Sequence, residues 1–131
     1  MSSKPIEALL TIEWSSHLSM PVFVIEPDGT LLFYNEPAEA LLGSRFEETG
    51  PMSQAVWAAA WHPTDPSGQP LRPEQLPIVY ALEHGEPAHG SLWIAGMDGV
   101  RRHLDITAIP LGGPGEVPLG AVAMFWESSP E

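Results

Sequence analysis

PVFVIEPDGTLLFYNEPAEALLG, residues 21–43, holds two short strands, a tight turn and a capped helix in one unbroken run. Phe23 and Ile25 alternate with Val22, Val24 and Glu26, and β-branched and aromatic residues dominate. That pattern predicts a strand buried on much of both faces. Asp28-Gly29 is a hairpin signal, because glycine adopts positive φ without a steric penalty. Leu31 to Tyr34 then reads as the return strand. Asn35 stands at a helix N-cap, where its side-chain oxygen accepts an orphan backbone N–H. Glu36 and Glu39 suit the positive end of the helix dipole. Ala38, Leu41 and Leu42 supply an inner stripe, and Gly43 a left-handed stop.

Downstream, 44–50 reads as a polar connector anchored by Phe46, and 53–61 as a short helix with Trp57 and Trp61 four residues apart. Two tryptophans on one helical stripe point to core packing. Residues 62–73, HPTDPSGQPLRP, form a loop with a turn at 65–68. A helix is expected over 74–84, with Pro77 confined to its first turn and Gly85 as its stop. Its apolar stripe is Leu76, Val79 and Leu82, or Ile78 and Leu82. Strands follow at 88–95, 100–109 and 117–127, joined by an Asp98-Gly99 hairpin and a loop at 112–115. Upstream, residues 4–18 read as an amphipathic helix carrying Ile6, Leu9, Leu10, Trp14 and Leu18.

Composition narrows the possibilities. A chain of 131 residues has the size of one domain and buries a core without staples. It contains no cysteine, which removes disulfides, thiolate metal sites and cysteine nucleophiles and fits a cytoplasmic protein. The net charge is −12, with five lysines and arginines in all, the opposite of a nucleic-acid-binding surface. No apolar run approaches membrane-spanning length, so no membrane partner is expected. Three units result: an amphipathic helix at 1–18, a domain at 19–127 and a tail at 128–131. Two hairpin signals around a helical middle predict an α+β domain, a five-stranded antiparallel sheet with helices on one face. The leading helix would cover the outer face.

The opening run, with Asp28, Gly29, Asn35, Ala38, Leu42 and Gly43 in place, resembles the start of a PAS sensor domain. The passage Asp65, Gly68, Pro70, Leu71, Pro73, Glu74, Leu76, Pro77 resembles the approach to the long helix beneath the PAS cavity. Asp98, Gly99, Arg101, Arg102, Pro110, Leu111, Val117, Gly120 and Val122 resemble the closing three strands. The likeness spans about residues 18–127 and is to the PAS modules of bacterial sensor kinases. It implies a sensory module without catalysis. A small ligand or a protein contact would shift the packing of sheet and flanking helix. A homodimer is implied, with a kinase or regulator as signalling partner, in either a stand-alone module or a piece of a larger protein. The alternative within the family is a ligand-free interaction scaffold.

Strand alternation sorts the candidate site residues. Leu104, Ile106 and Ala108 share the face expected to meet the helices; His103, Asp105, Thr107 and Ile109 share the other. On the last strand Val122, Met124 and Trp126 alternate with Ala121, Ala123 and Phe125, and both sets are apolar. The expected pocket lining is Phe23, Ile25, Phe33, Leu42, Val56, Trp57, Val79, Leu82, Trp93, Leu104, Ile106, Val122 and Met124; a filled core accounts for the same residues. The expected dimer contact is Ile6, Leu9, Leu10 and Trp14 with Ala121, Ala123 and Phe125. An unknown small molecule is the one cofactor left open. The cysteine-dependent flavin adduct of light-sensing PAS domains has no cysteine to form on. Haem would want a histidine where Glu74 or Gln75 stands. His17, His62, His84, His89 and His103 show no metal-ligand spacing, so no metal is expected. The rival enzyme class, a cone-shaped α+β fold of the ketosteroid-isomerase type, needs a buried carboxyl of raised pKa. Asp105 is the best residue for it, and alternation places it on the outer face.

Overall fold

The computed structural model describes residues 19–112 and 119–128. The helix expected over 4–18, with Ile6, Leu9, Leu10 and Trp14, lies outside them, as do residues 113–118 and the end of the tail. The elements are β1 (Val22–Ile25), β2 (Leu31–Tyr34), α1 (Glu36–Leu42), α2 (Phe46–Thr49), α3 (Gln54–Trp61), a 3-10 turn (Pro73–Gln75), α4 (Pro77–His84), β3 (Ala88–Ala95), β4 (Arg101–Pro110) and β5 (Ala121–Glu127). The strands form one sheet in the order β2-β1-β5-β4-β3, every neighbouring pair antiparallel. β2 and β3 are therefore the two edges, and the segment between them carries the described helices across one face of the sheet. This is the α+β architecture expected from the sequence.

Local chemistry explains the frame. Three turns repeat one bonding scheme. In Glu26–Thr30 the Glu26 N–H donates to Thr30 O at 2.8 Å and the Gly29 N–H to Glu26 O at 2.9 Å. Gly29 takes φ +90°, which a side chain would resist. Asp65–Gln69 and Gly96–Val100 bond in the same way. Asn35 caps α1 as expected: its Oδ1 accepts from the Ala38 N–H at 3.2 Å and also from the Val22 N–H at 2.9 Å.

Three sequence expectations give way. The connector at 44–50 holds a helical turn, α2, whose Phe46 packs edge-on against both Phe33 and Tyr34 at 5.3 Å. The helix expected from 74 is broken: Leu76 is extended (φ −82°, ψ 131°) and α4 begins at Pro77. The proline ring disfavours a helical residue before it, so the preceding turn stays separate. Lastly, the two faces of β5 are reversed. Ala121 opposes Ile25, Ala123 opposes Phe23 and Ala108, and Phe125 opposes Ile106. Directly opposed residues share a face, and Phe23, Ile25 and Ala108 belong to the core under the helices. Ala121, Ala123 and Phe125 therefore point inward. Val122 joins Val22, Val24 and Leu32 in a second apolar cluster on the other face, with Met20, Phe33, Leu111 and Met124 against it.

Candidate functional site

A cavity of about 70 Å³ lies between the sheet and the helices. Phe23, Leu92, Ile94, Leu104, Ile106, Ala123 and Phe125 form its sheet side; Leu42, Trp57, Trp61, Pro63, Leu76, Pro77 and Ile78 close it. Phe23 is the hub. Trp57 and Trp61 each meet its ring edge-on at 5.6 Å, and Phe125 does so at 6.2 Å. Helix α3 delivers both tryptophans because residues four apart share a helix face. Each indole N–H is already spent. Trp57 donates to Gly29 O at 3.0 Å, in the first turn, and Trp61 to Leu42 O at 3.1 Å, at the end of α1.

The lining is thus apolar, and its side chains offer no free hydrogen-bonding group. Drug-sized pockets run to roughly 300–1,000 Å³.

Among the residues expected to line the pocket, Phe23, Leu42, Trp57, Leu104 and Ile106 border the cavity. Ile25 and Val79 are buried in the core beside it, and Leu82 packs against that core. The others lie elsewhere. Val122, Met124 and Phe33 belong to the opposite face. Phe33 is carried there by a β-bulge: Val24 pairs with Phe33 and Ile25 with Leu31, so Leu32 has no opposite residue. Leu31 and Tyr34 consequently both turn inward. Trp93 opposes His103 on the outer face, 5.1 Å from its ring, with the Arg101 guanidinium 4.5 Å from the indole centroid. Val56 is 53% exposed, one residue round the helix from Trp57. The inward β3 residues, Leu92 and Ile94, were legible: His89 and Ser91 share the alternation of Trp93 and mark that set as the polar face. Trp61, Leu76 and Ile78, expected in core or on a helix stripe, and Ala123 and Phe125, expected on the outer face, also line the cavity. For Trp61 a signal existed in its spacing from Trp57.

The outer face over β3 and β4 is polar. Ser91 Oγ donates to Asp105, His89 Nδ1 lies 2.9 Å from Thr107 Oγ1, and His103 Nδ1 lies 2.8 Å from Ser128 Oγ. The hydrogen bond from Ser91 holds the Asp105 carboxyl below the usual carboxylate range. An isomerase-type base needs a carboxyl raised by burial, the reverse of this setting. Among the described residues no three histidine, aspartate or glutamate side chains group to hold a metal ion, and no helix is long and apolar enough to cross a membrane.

The sequence matches no protein-family model and no curated protein. Solved structures do match. The chain is similar to a PAS domain of a protein from Colwellia psychrerythraea at 16% identity and a TM-score of 0.63, covering 95% of this chain and 98% of that one. It is similar to the PAS domain of nitrogen regulation protein NR(II) from Vibrio parahaemolyticus at 12% identity and 0.63, covering 91% and 98%. It is also similar to the Rhodobacter sphaeroides LOV protein at 13% identity and 0.71, covering 95% and 69%.

Proposed function

The chain has the PAS fold, and on that footing we propose that it is a sensory or signalling module without catalysis of its own. Its inner cavity takes a small apolar molecule, and its outer sheet face makes a protein contact. The apolar cavity carries this reading. Its walls span β1, β3, β4, β5, α1, α3 and α4, so an occupant touches nearly every element and biases their packing. On the outer face Ile109 and Trp126 are 38% and 39% exposed, which supports a contact there. In this proposal Ile6, Leu9, Leu10 and Trp14 join a homodimer contact over that face, and a kinase or regulator reads the result. Ala121, Ala123 and Phe125 have no part in it, because they face inward.

The small cavity volume favours a second reading, a ligand-free scaffold. NMR in xenon-saturated and benzene-saturated buffer separates the two. The sensor reading expects methyl shifts at Leu42, Leu104 and Ile106, lost in Ala123→Leu, which fills the space. Unmoved methyls in the wild-type chain would leave the scaffold. The dimer contact is checked by sedimentation of Leu9→Glu combined with Trp14→Glu, whose mass should fall relative to wild type.

A further inference from the structure

Strand β3 is an edge of the sheet, and part of that edge is already occupied. Thr64 lies alongside Trp93: the Trp93 N–H donates to Thr64 O at 3.0 Å, and the Thr64 N–H to Trp93 O at 2.9 Å. In an antiparallel strand the backbone groups point alternately to its two sides. The register of β3 on β4 runs without a slip from Ala88 to Ala95. Ser91 and His89, two and four residues before Trp93, therefore aim their N–H and C=O groups at the same open side. Beyond Thr64 no described backbone bonds to that side of the strand.

That open side borders a groove of about 310 Å³, whose other wall is Glu74, Gln75, Pro77 and Tyr80. Two observations say what fits. The groove's Glu74 carboxylate, 58% exposed, is paired with Arg72 at 3.3 Å, so the charge that a partner meets there is that of the whole chain, −12. An acidic occupant is repelled and a basic one attracted. Tyr80, 39% exposed and packed on His84 at 4.2 Å, offers an apolar surface for alternate side chains of a strand.

We propose that this groove receives an extended, basic peptide segment of a partner protein, which adds to β3 as a further strand opposite His89–Ser91. Strand addition of this kind draws affinity from main-chain hydrogen bonds. Thr64 already demonstrates the geometry one step along the same edge. A second copy of this chain is disfavoured: its own β3 would bring its own Glu74–Tyr80 wall into the groove, along with another charge of −12. The proposal is independent of what the inner cavity holds.

The test is amide hydrogen exchange of His89 and Ser91 in the full chain. The probe is a pool of capped peptides Lys-Xaa-Val-Xaa-Lys, compared with the Glu-flanked pool and with a pool N-methylated along the backbone. The Lys-flanked pool should slow both amides by about tenfold or more at millimolar peptide, which corresponds to about 1.4 kcal/mol of added protection. The other two pools should not. Ser91→Pro, which removes the edge N–H, should fold normally by circular dichroism and lose the effect; Ser91→Ala should keep it. Three results would overturn the proposal: unchanged exchange with the Lys-flanked pool, equal protection by the Glu-flanked pool, or protection that grows with protein concentration alone.

Discussion

Asn35 ties several pieces of this fold together through one buried side chain. It is 1% exposed. Its Oδ1 takes the Val22 N–H and the Ala38 N–H, and its Nδ2 donates to Met20 O at 2.9 Å. It joins the start of β1 to the cap of α1. Asn35→Ala leaves the buried Val22 N–H unpaired as well as removing the cap, so it should cost about 2–4 kcal/mol. Urea unfolding should show a lower midpoint at an unchanged slope. Gly43 is a second such position: at φ +77° a Cβ would lie 2.6 Å from the Asp98 backbone nitrogen. The Gly96–Val100 turn sits against the end of α1 there. Met97 N–H donates to Leu42 O at 2.9 Å, and Arg102 donates to Leu41 O at 3.0 Å and pairs with Asp98 at 3.1 Å.

The aspartates share a pH consequence. Asp28, Asp65, Asp98 and Asp105 are all held below the ordinary carboxylate range by hydrogen bonds, from the Thr30 N–H, Ser67, Arg102 and Ser91 respectively. A carboxyl depressed in the folded state adds stability that is complete above its unfolded pKa and is lost as pH falls through the folded one. Their contribution should be flat above about pH 5 and decline from about pH 4 downward. In urea melts at stepped pH, Asp98→Asn should start less stable and fall less steeply across that window.

At the scale of elements, β5 is the strand to test. Its inward set and outward set are both apolar, so hydrophobicity alone does not distinguish them. Phe125 borders the cavity and packs on Phe23; Trp126 is 39% exposed. Phe125→Ala should lose about 3–5 kcal/mol, and Trp126→Ala less than about 1 kcal/mol. Chemical denaturation of the pair decides the facing; the reverse order would restore the inward placement of Val122 and Met124. Helix α3 acts as a clamp of a different kind. Its two indole N–H groups reach the first turn and the end of α1, so one short helix pins two distant pieces of backbone while filling the core between them.

For the molecule as a whole, charge is the dominant long-range effect. Seventeen acidic residues stand against five basic ones. The exposed pairs Arg45–Glu47 and Arg72–Glu74 offset little of this. Self-repulsion works against the compact state and is screened by salt. The melting temperature should therefore rise between low and moderate sodium chloride, read by differential scanning calorimetry. A fall would mean that the Arg102–Asp98 pair outweighs the repulsion.

What the chain spelled out locally held its place: Asn35 as cap, the Asp-Gly turns, the strand at 88–95 and the helix carrying Trp57 and Trp61. Each depends on a few neighbouring residues and their own backbone preferences, so order along the chain sufficed for the sheet and its covering helices. The facing of Val122, Met124, Phe125 and Phe33 was decided only in three dimensions. Where both alternating sets of a strand are apolar, facing is set by the partner strand's hydrogen-bond register and by one bulge at Leu32, and those are long-range contacts. The cavity is long-range as well: its volume is the gap left when side chains from seven distant elements meet, a quantity no single stretch of residues carries.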